Sequence, residues 1–159
     1  MANIYEPEYD DVREHPGFRA RRARVGLEAG AERLGLSVWE LPAGEAAYPY
    51  HYHLGEEELL VVLEGTPELR TPDGWRRLQT GEVVAFPRGE DGAHQLLNRG
   101  DQTARFLALS TNGDPDIVLY PDSRKLSAAE RRPQGGGMRE VFRLADAVDY
   151  LDGEQPPER

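Results

Sequence analysis

Short apolar runs recur along this chain at close intervals, and each is closed by residues that turn the backbone. The runs are LGLSVWEL (34–41), AYPYHYH (47–53), ELLVVLEG (58–65), PELRT (67–71), WRRLQ (75–79), EVVAFP (82–87), AHQLLN (93–98), RFLALST (105–111) and DIVLYP (116–121). Between them lie PAGEA, TPDGW, TGE, RGEDG, NRGD and NGDPD. Runs this short, rich in β-branched and aromatic residues, read as strands rather than helices. TPDGW is the clearest hairpin: Pro72 presets φ, Asp73 can bond the backbone, and Gly74 tolerates positive φ. Such a succession of strands and turns predicts an all-β sandwich or barrel.

At 159 residues the chain has the size of one domain. The strand-like stretch assigns residues 34–121 to the barrel, 1–33 to an N-terminal extension that covers it, and 122–159 to a tail. In the tail, GGG at 135–137 reads as a flexible joint. After it Val141, Leu144, Ala145, Val148 and Leu151 keep helical spacing, which predicts one short helix or helical turn near 144–151. An open barrel leaves sheet edges that need cover, and the two terminal segments are the expected cover. The chain has no cysteine, which excludes a disulfide scaffold, thiolate metal sites and a cysteine nucleophile. Its net charge of −10 argues against nucleic acid as a partner. The basic stretch RARRAR (19–24) reads as a solvated face. The longest strongly apolar run, LLVVL (59–63), is too short to span a bilayer, and the acidic, proline-broken start is unlike a secretory leader. A cytoplasmic protein with no membrane partner is expected.

The chain contains four histidines, and two stand one residue apart in HYHLGEEE (51–58). Alternation along a strand turns His51 and His53 to the same side, with Cα atoms roughly 6.6–6.8 Å apart. Two imidazoles so placed can converge on one metal ion. They can equally be exposed, or satisfied by hydrogen bonds. A hairpin through LGEE would return Glu58 to the pair. Glu58, Leu60 and Val62 share a face, so this carboxylate would stand at the mouth of an apolar interior, where it needs a partner. Glu56 and Glu57 read as a solvated turn. His94, alone in its segment, would ordinarily be structural; beside the first cluster it becomes a further candidate ligand.

These residues carry a family resemblance. Gly44, His51, His53, Glu58 and Gly65 follow the first cupin motif, with Gly44 one residue too far from His51. Gly81, Pro87, Gly89, His94 and Asn98 follow the second, with two extra residues between Gly89 and His94 that lengthen the loop. The chain resembles the cupins, small jelly-roll β-barrels, and in particular small bacterial single-domain cupins of the Cupin_2 type. The resemblance implies that His51, His53, Glu58 and His94 bind one divalent metal ion (Mn, Fe, Ni, Co, Cu or Zn) inside the barrel. It also implies a homodimer.

The expected function is therefore metal-dependent action on a small polar substrate. Isomerisation or epimerisation of a sugar or sugar phosphate and oxygenation of a small organic acid are the candidate reactions. A metal-dependent module that binds or senses a small ligand without turnover is the alternative. Tyr48, near the pocket rim, is the candidate proton donor, and Arg105, beside FLALS, the candidate partner for a substrate anion. Each has a plainer reading, as a packed tyrosine and a solvent-facing arginine. Trp39 reads as core, His15 as surface, and Asn98 as a residue that bonds backbone near a strand end.

Overall fold

The computed structural model of the chain describes residues 1–130 and 137–157. Its strands are β1 (Asp11–Arg13), β2 (Ala20–Ala23), β3 (Gly35–Leu41), β4 (Tyr52–His53), β5 (Glu58–Glu64), β6 (Glu68–Thr71), β7 (Gly74–Arg77), β8 (Val83–Phe86), β9 (Gln95–Leu97), β10 (Ala104–Ser110), β11 (Asp116–Tyr120), β12 (Lys125–Ala129) and β13 (Arg139–Arg143). Among the described residues the one α-helical turn, α1, covers Val25–Glu28. The architecture is the expected all-β jelly-roll barrel. A six-stranded antiparallel sheet, in the order β1-β2-β3-β10-β5-β8, forms one wall. The other wall is built from two smaller sheets, β13-β12-β11-β4 and β7-β6-β9.

The large sheet obeys strand alternation. On β5, Leu60 and Val62 are buried while Leu59 and Val61 are only partly so. Register places Trp39 opposite Phe106, and Phe106 opposite Val62, on the inner face. These side chains meet Leu69, Leu78 and Leu96 from the facing wall in one apolar core. The outer face is covered in part by the N-terminal segment: Ala2, Ile4 and Tyr9 pack with Val38, Leu36 and Leu107. The TPDGW hairpin forms as expected, with Thr71 opposite Gly74 and Gly74 at φ 111°.

One contact joins the two smaller sheets at the level of the histidines. His51 and His94 form an isolated antiparallel bridge, in which each backbone N–H donates to the other residue's carbonyl, at 3.1 and 2.8 Å. The bridge lies one residue before β4 and one before β9. Two histidines 43 positions apart are therefore fixed side by side by main chain alone.

Two expectations, the extent of the tail's helical stripe and the solvated RARRAR face, need correction. The short helix or helical turn expected near 144–151 is a single 3-10 turn over Leu144–Asp146, and Val148 and Leu151 are exposed. Val141 lies instead in β13, where the pattern is that of an edge strand on β12. Of the GGG joint, Gly135 and Gly136 lie outside the described residues; Gly137 has φ 93°. The RARRAR stretch is not a uniformly solvated face: Ala20 and Ala23 are buried, Arg21 is exposed and Arg22 is half-buried. Among the described residues no helix is long and apolar enough to cross a membrane.

β13 pairs with β12 over five residues, and Leu144 N–H donates to the Arg124 carbonyl beyond its end. Deleting residues 138–159 strips that ladder and bares the β12 edge. A lower melting temperature is predicted for the truncated protein. An unchanged melting curve would show that the tail adds nothing to the fold.

Candidate metal centre

The four candidate ligands come from three places in the chain. His51 and His53 bracket the start of β4, Glu58 opens β5, and His94 precedes β9. A ligand oxygen of Glu58 and ring nitrogens of His51 and His53 all lie within 4.8 Å of one another. His94 joins them through Glu58: its Nε2 is 3.4 Å from Glu58 Oε2, and His53 Nε2 is 3.3 Å from the same oxygen. The imidazole centroids of His51 and His94 are 4.7 Å apart, and those of His51 and His53 4.9 Å. All three histidines are buried.

The chemistry follows from where each imidazole puts its other nitrogen. His51 Nδ1 lies 2.9 Å from the Pro49 carbonyl and His94 Nδ1 lies 2.9 Å from the Gly92 carbonyl. A carbonyl oxygen only accepts, so Nδ1 carries the hydrogen and the neutral ring keeps a bare lone pair at Nε2. His53 Nδ1 is held 2.7 Å from Asp116 Oδ2, and Asp116 is fully buried. His53 Nε2 is buried and makes no hydrogen bond among the described residues. With the rings neutral, nitrogens that can only accept thus gather around a carboxylate that can also only accept. That arrangement suits a cation at their centre, and a backbone or carboxylate bond on the far nitrogen is how metal-binding imidazoles are oriented. Three imidazoles and one carboxylate fit a first-row divalent ion.

Burial and charge tune the rings in opposite directions. Burial, then the neighbouring imidazoles, holds His51 well below the usual histidine value of 6.5. Burial lowers His94 to about 4, against an opposing pull from its bond to Gly92. Burial also lowers His53, but the hydrogen bond to Asp116 and the nearby carboxylates outweigh it and leave it raised. The Tyr48 phenol is pushed well above 10 by burial and by the charge of Glu58.

The inserted loop residues have a visible role. Glu90–Gly92 form a 3-10 turn, and Gly89 N–H donates to the His53 carbonyl at 2.8 Å. A Cβ on Gly92 would lie 1.8 Å from the Pro87 carbonyl oxygen, so only glycine fits there. The turn hands His94 back to the barrel and supplies the carbonyl that orients it. Phe86 stacks on the His94 ring at 3.8 Å.

Tyr48 stands beside the cluster, its ring 4.9 Å from His51 and 5.4 Å from His94. All five side chains line a cavity of about 700 Å³, within the range of small-molecule sites. Arg105 is placed elsewhere. Phe106 faces inward, so its neighbour Arg105 faces the outer surface, where Nη2 donates to the Ile4 carbonyl at 3.1 Å. It does not line the cavity. Trp39 is core, as expected, but also forms part of the cavity wall. Among the described residues Asn98 bonds backbone, donating to the Leu41 and Gln102 carbonyls and accepting from Gly100. His15 is exposed.

Sequence reasoning missed Asp116 and misread Glu56. Glu56 is 1% exposed, not solvated, and forms a second group of possible ligand atoms with His53 and Asp116. Nothing local marks Asp116, which meets His53 across 63 positions through the pairing of β11 with β4. Tyr120 also escaped notice; its ring stacks 6.0 Å from His51.

The buried neutral imidazoles set an acid limit on the metal-free protein. His94 folds with a value near 4 against 6.5 unfolded, and His51 shifts the same way, so the unfolded chain takes up protons first as pH falls. Stability from His94 is complete above 6.5 and declines towards 4, by on the order of 3 kcal/mol, and that from His51 is lost in the same direction as pH falls. His53 works in the opposite sense but is one ring against two. Chelator-treated protein should melt at a lower temperature at pH 5 than at pH 7, with a smaller difference in His94→Gln. Equal pH dependence in the variant would contradict this assignment.

With the site laid out, comparison with known proteins is direct. The Cupin_2 family model, for a cupin domain, matches residues 37–110 and so encloses all four candidate ligands. Over 102 residues the chain is 28% identical to auxin-binding protein ABP19b of Prunus persica, covering 57% of this chain. That match spans 45% of the curated relative, less than half its length. A solved structure from Acidithiobacillus ferrooxidans, provisionally named a sugar phosphate isomerase, is similar at 26% identity and a TM-score of 0.76. It is covered over 88% of its length by 91% of this chain. A sugar phosphate isomerase of the cupin superfamily from Silicibacter pomeroyi has the same fold, at 23% identity and a TM-score of 0.79 over 96% of this chain and 98% of that one. Motif residues, barrel topology and the domain match over residues 37–110 agree: the chain has a small cupin-type fold.

Proposed function

We propose that this cupin holds one divalent metal ion through His51, His53, His94 and Glu58 and acts on a small polar substrate. Isomerisation or epimerisation of a sugar or sugar phosphate is the reaction class that the site supports best. The observation that carries the reading is the convergence of acceptor-only atoms, with Nδ1 of each imidazole already committed elsewhere. The similarity to the Acidithiobacillus ferrooxidans protein favours sugar chemistry over oxygenation of a small acid.

A bound ion would supply Lewis-acid polarisation of a substrate oxygen. The chain's own residues supply orientation and a proton. Asp116 fixes the His53 ring, and the Pro49 and Gly92 carbonyls fix the other two. Tyr48 stays protonated beside the ligands and can donate to a substrate oxygen as charge develops on it. Trp39, Phe86 and Leu60 form apolar walls that limit water. The ligand is a small molecule, and the exposed Val141 and Phe142 on the β13 edge favour a homodimer.

Elemental analysis of protein purified without a metal-affinity tag should give about one metal ion per chain. His51→Ala and Glu58→Ala should lose most of it, whereas Tyr48→Phe should keep it. With a panel of sugars and sugar phosphates in deuterated buffer, wild type should exchange a substrate C–H proton. Tyr48→Phe should be slower by roughly 10²–10⁴-fold. Full metal content in the first two variants would refute the ligand set. Oxygen uptake without proton exchange would move the reading to an oxygenase, and tight ligand binding without turnover to a binding module.

A further inference from the structure

The metal ligands occupy one region of the cavity wall; a different region carries arginines that the metal centre does not use. The inner face of the large sheet reads across its strands. Asp11 on β1 is opposite Arg22 on β2, Arg22 is opposite Trp39 on β3, and Trp39 is opposite Phe106 on β10. The Arg22 guanidinium lies 5.2 Å from the Trp39 ring and that of Arg13 5.7 Å from it. Both arginines line the same cavity as the histidines, and so does Arg24. Two rings connect the regions: Trp39 lies 6.0 Å from Tyr48, and Tyr48 lies 4.9 Å from His51.

Charge here runs against the chain as a whole. The net charge is −10, yet this part of the wall brings three guanidiniums together against two carboxylates. Arg22 pairs with Asp11 at 2.6 Å, and Arg24 with Asp10 at 2.9 Å and Asp11 at 3.4 Å. Arg13 donates to the Ala47 carbonyl at 2.6 Å. One donor is unused: Arg22 Nε is buried and has no hydrogen-bond partner among the described residues. A buried N–H of a cation without an acceptor is uncommon. By contrast Arg21, next along the strand and on the opposite face, is exposed and paired with Glu40.

We propose that Arg22, with Arg13 and Arg24 beside it, is an oxyanion subsite that holds the terminal phosphate or carboxylate of the ligand while its polar end meets the metal residues. This rests on the reading of the cavity as a small-molecule site. It adds an anionic anchor and a direction of binding. Guanidinium groups give charge-assisted and often bidentate bonds to such oxyanions. Trp39 keeps the guanidiniums of Arg13 and Arg22 in place against the cavity wall.

The test is calorimetric titration of the full chain with ribose phosphate, inorganic phosphate, gluconate and ribose, with and without chelator. Wild type should bind ribose phosphate or gluconate at least about tenfold more tightly than ribose, and the preferred member of the pair identifies phosphate or carboxylate as the anion. Arg22→Met should erase that preference, Arg22→Lys should restore part of it, and Arg21→Met should leave it intact. The double variant Asp11→Asn with Arg22→Met removes the carboxylate that would keep only its longer Arg24 contact and guards against misfolding; it too should lack the preference. Metal content should be unchanged in all variants. An Arg22-dependent preference in protein that holds no metal would sink the metal reading and leave this one standing. Normal metal content, with anions bound no better than ribose or with Arg21→Met as damaging as Arg22→Met, would overturn the subsite alone.

Discussion

Four acceptor groups are brought together at the centre of this barrel with their hydrogens directed elsewhere, and the surrounding structure serves that arrangement. Each imidazole is oriented by a bond at Nδ1, to Pro49, to Asp116 or to Gly92, so that Nε2 remains for the shared site. Lone pairs crowded beside a carboxylate are unfavourable in a buried setting unless a cation sits among them. The fold therefore holds a polar cluster that packing alone would not select.

The barrel achieves this with main chain as much as side chain. The His51–His94 bridge joins two small sheets and sets two candidate ligands at a fixed distance. β5 brings Glu58 to the mouth of an apolar face, with Leu60 and Val62 below it. Phe86 stacks on His94, and Tyr48 packs edge-on against His51 and His94. Aromatic contacts thus limit how far the rings can turn, and the hydrogen bonds choose their orientation.

Much of this was legible in the chain. Period-two alternation placed Glu58, Leu60 and Val62 on one face correctly, and turn chemistry located the TPDGW hairpin. Two-residue spacing put His51 and His53 on the same side. What escaped depended on partners distant in sequence. Asp116 gains its meaning from β11 lying against β4. Glu56 is buried by the packing of its turn, although its neighbours Glu57 and Leu54 are exposed. Arg105 stayed open between a substrate anion and solvent because alternation fixes only relative facing; the inward placement of Phe106 turns it outward. The helical tail is shorter than its apolar stripe suggested, because that stripe is split between an edge strand and an exposed turn. RARRAR concealed an alternation of its own, in which Arg22 turns into the wall while Arg21 meets solvent.

The cavity thus has two chemical ends joined by Trp39 and Tyr48, one rich in acceptors and the other in guanidinium donors. The claim on which the rest stands is the ligand set, and X-ray absorption at the edge of the metal present in purified protein tests it most directly. The account predicts imidazole scattering from three histidines together with an oxygen shell that includes one carboxylate, and a drop to two imidazoles in His94→Gln. A spectrum with no imidazole contribution, or one that His94→Gln leaves unchanged, would contradict it.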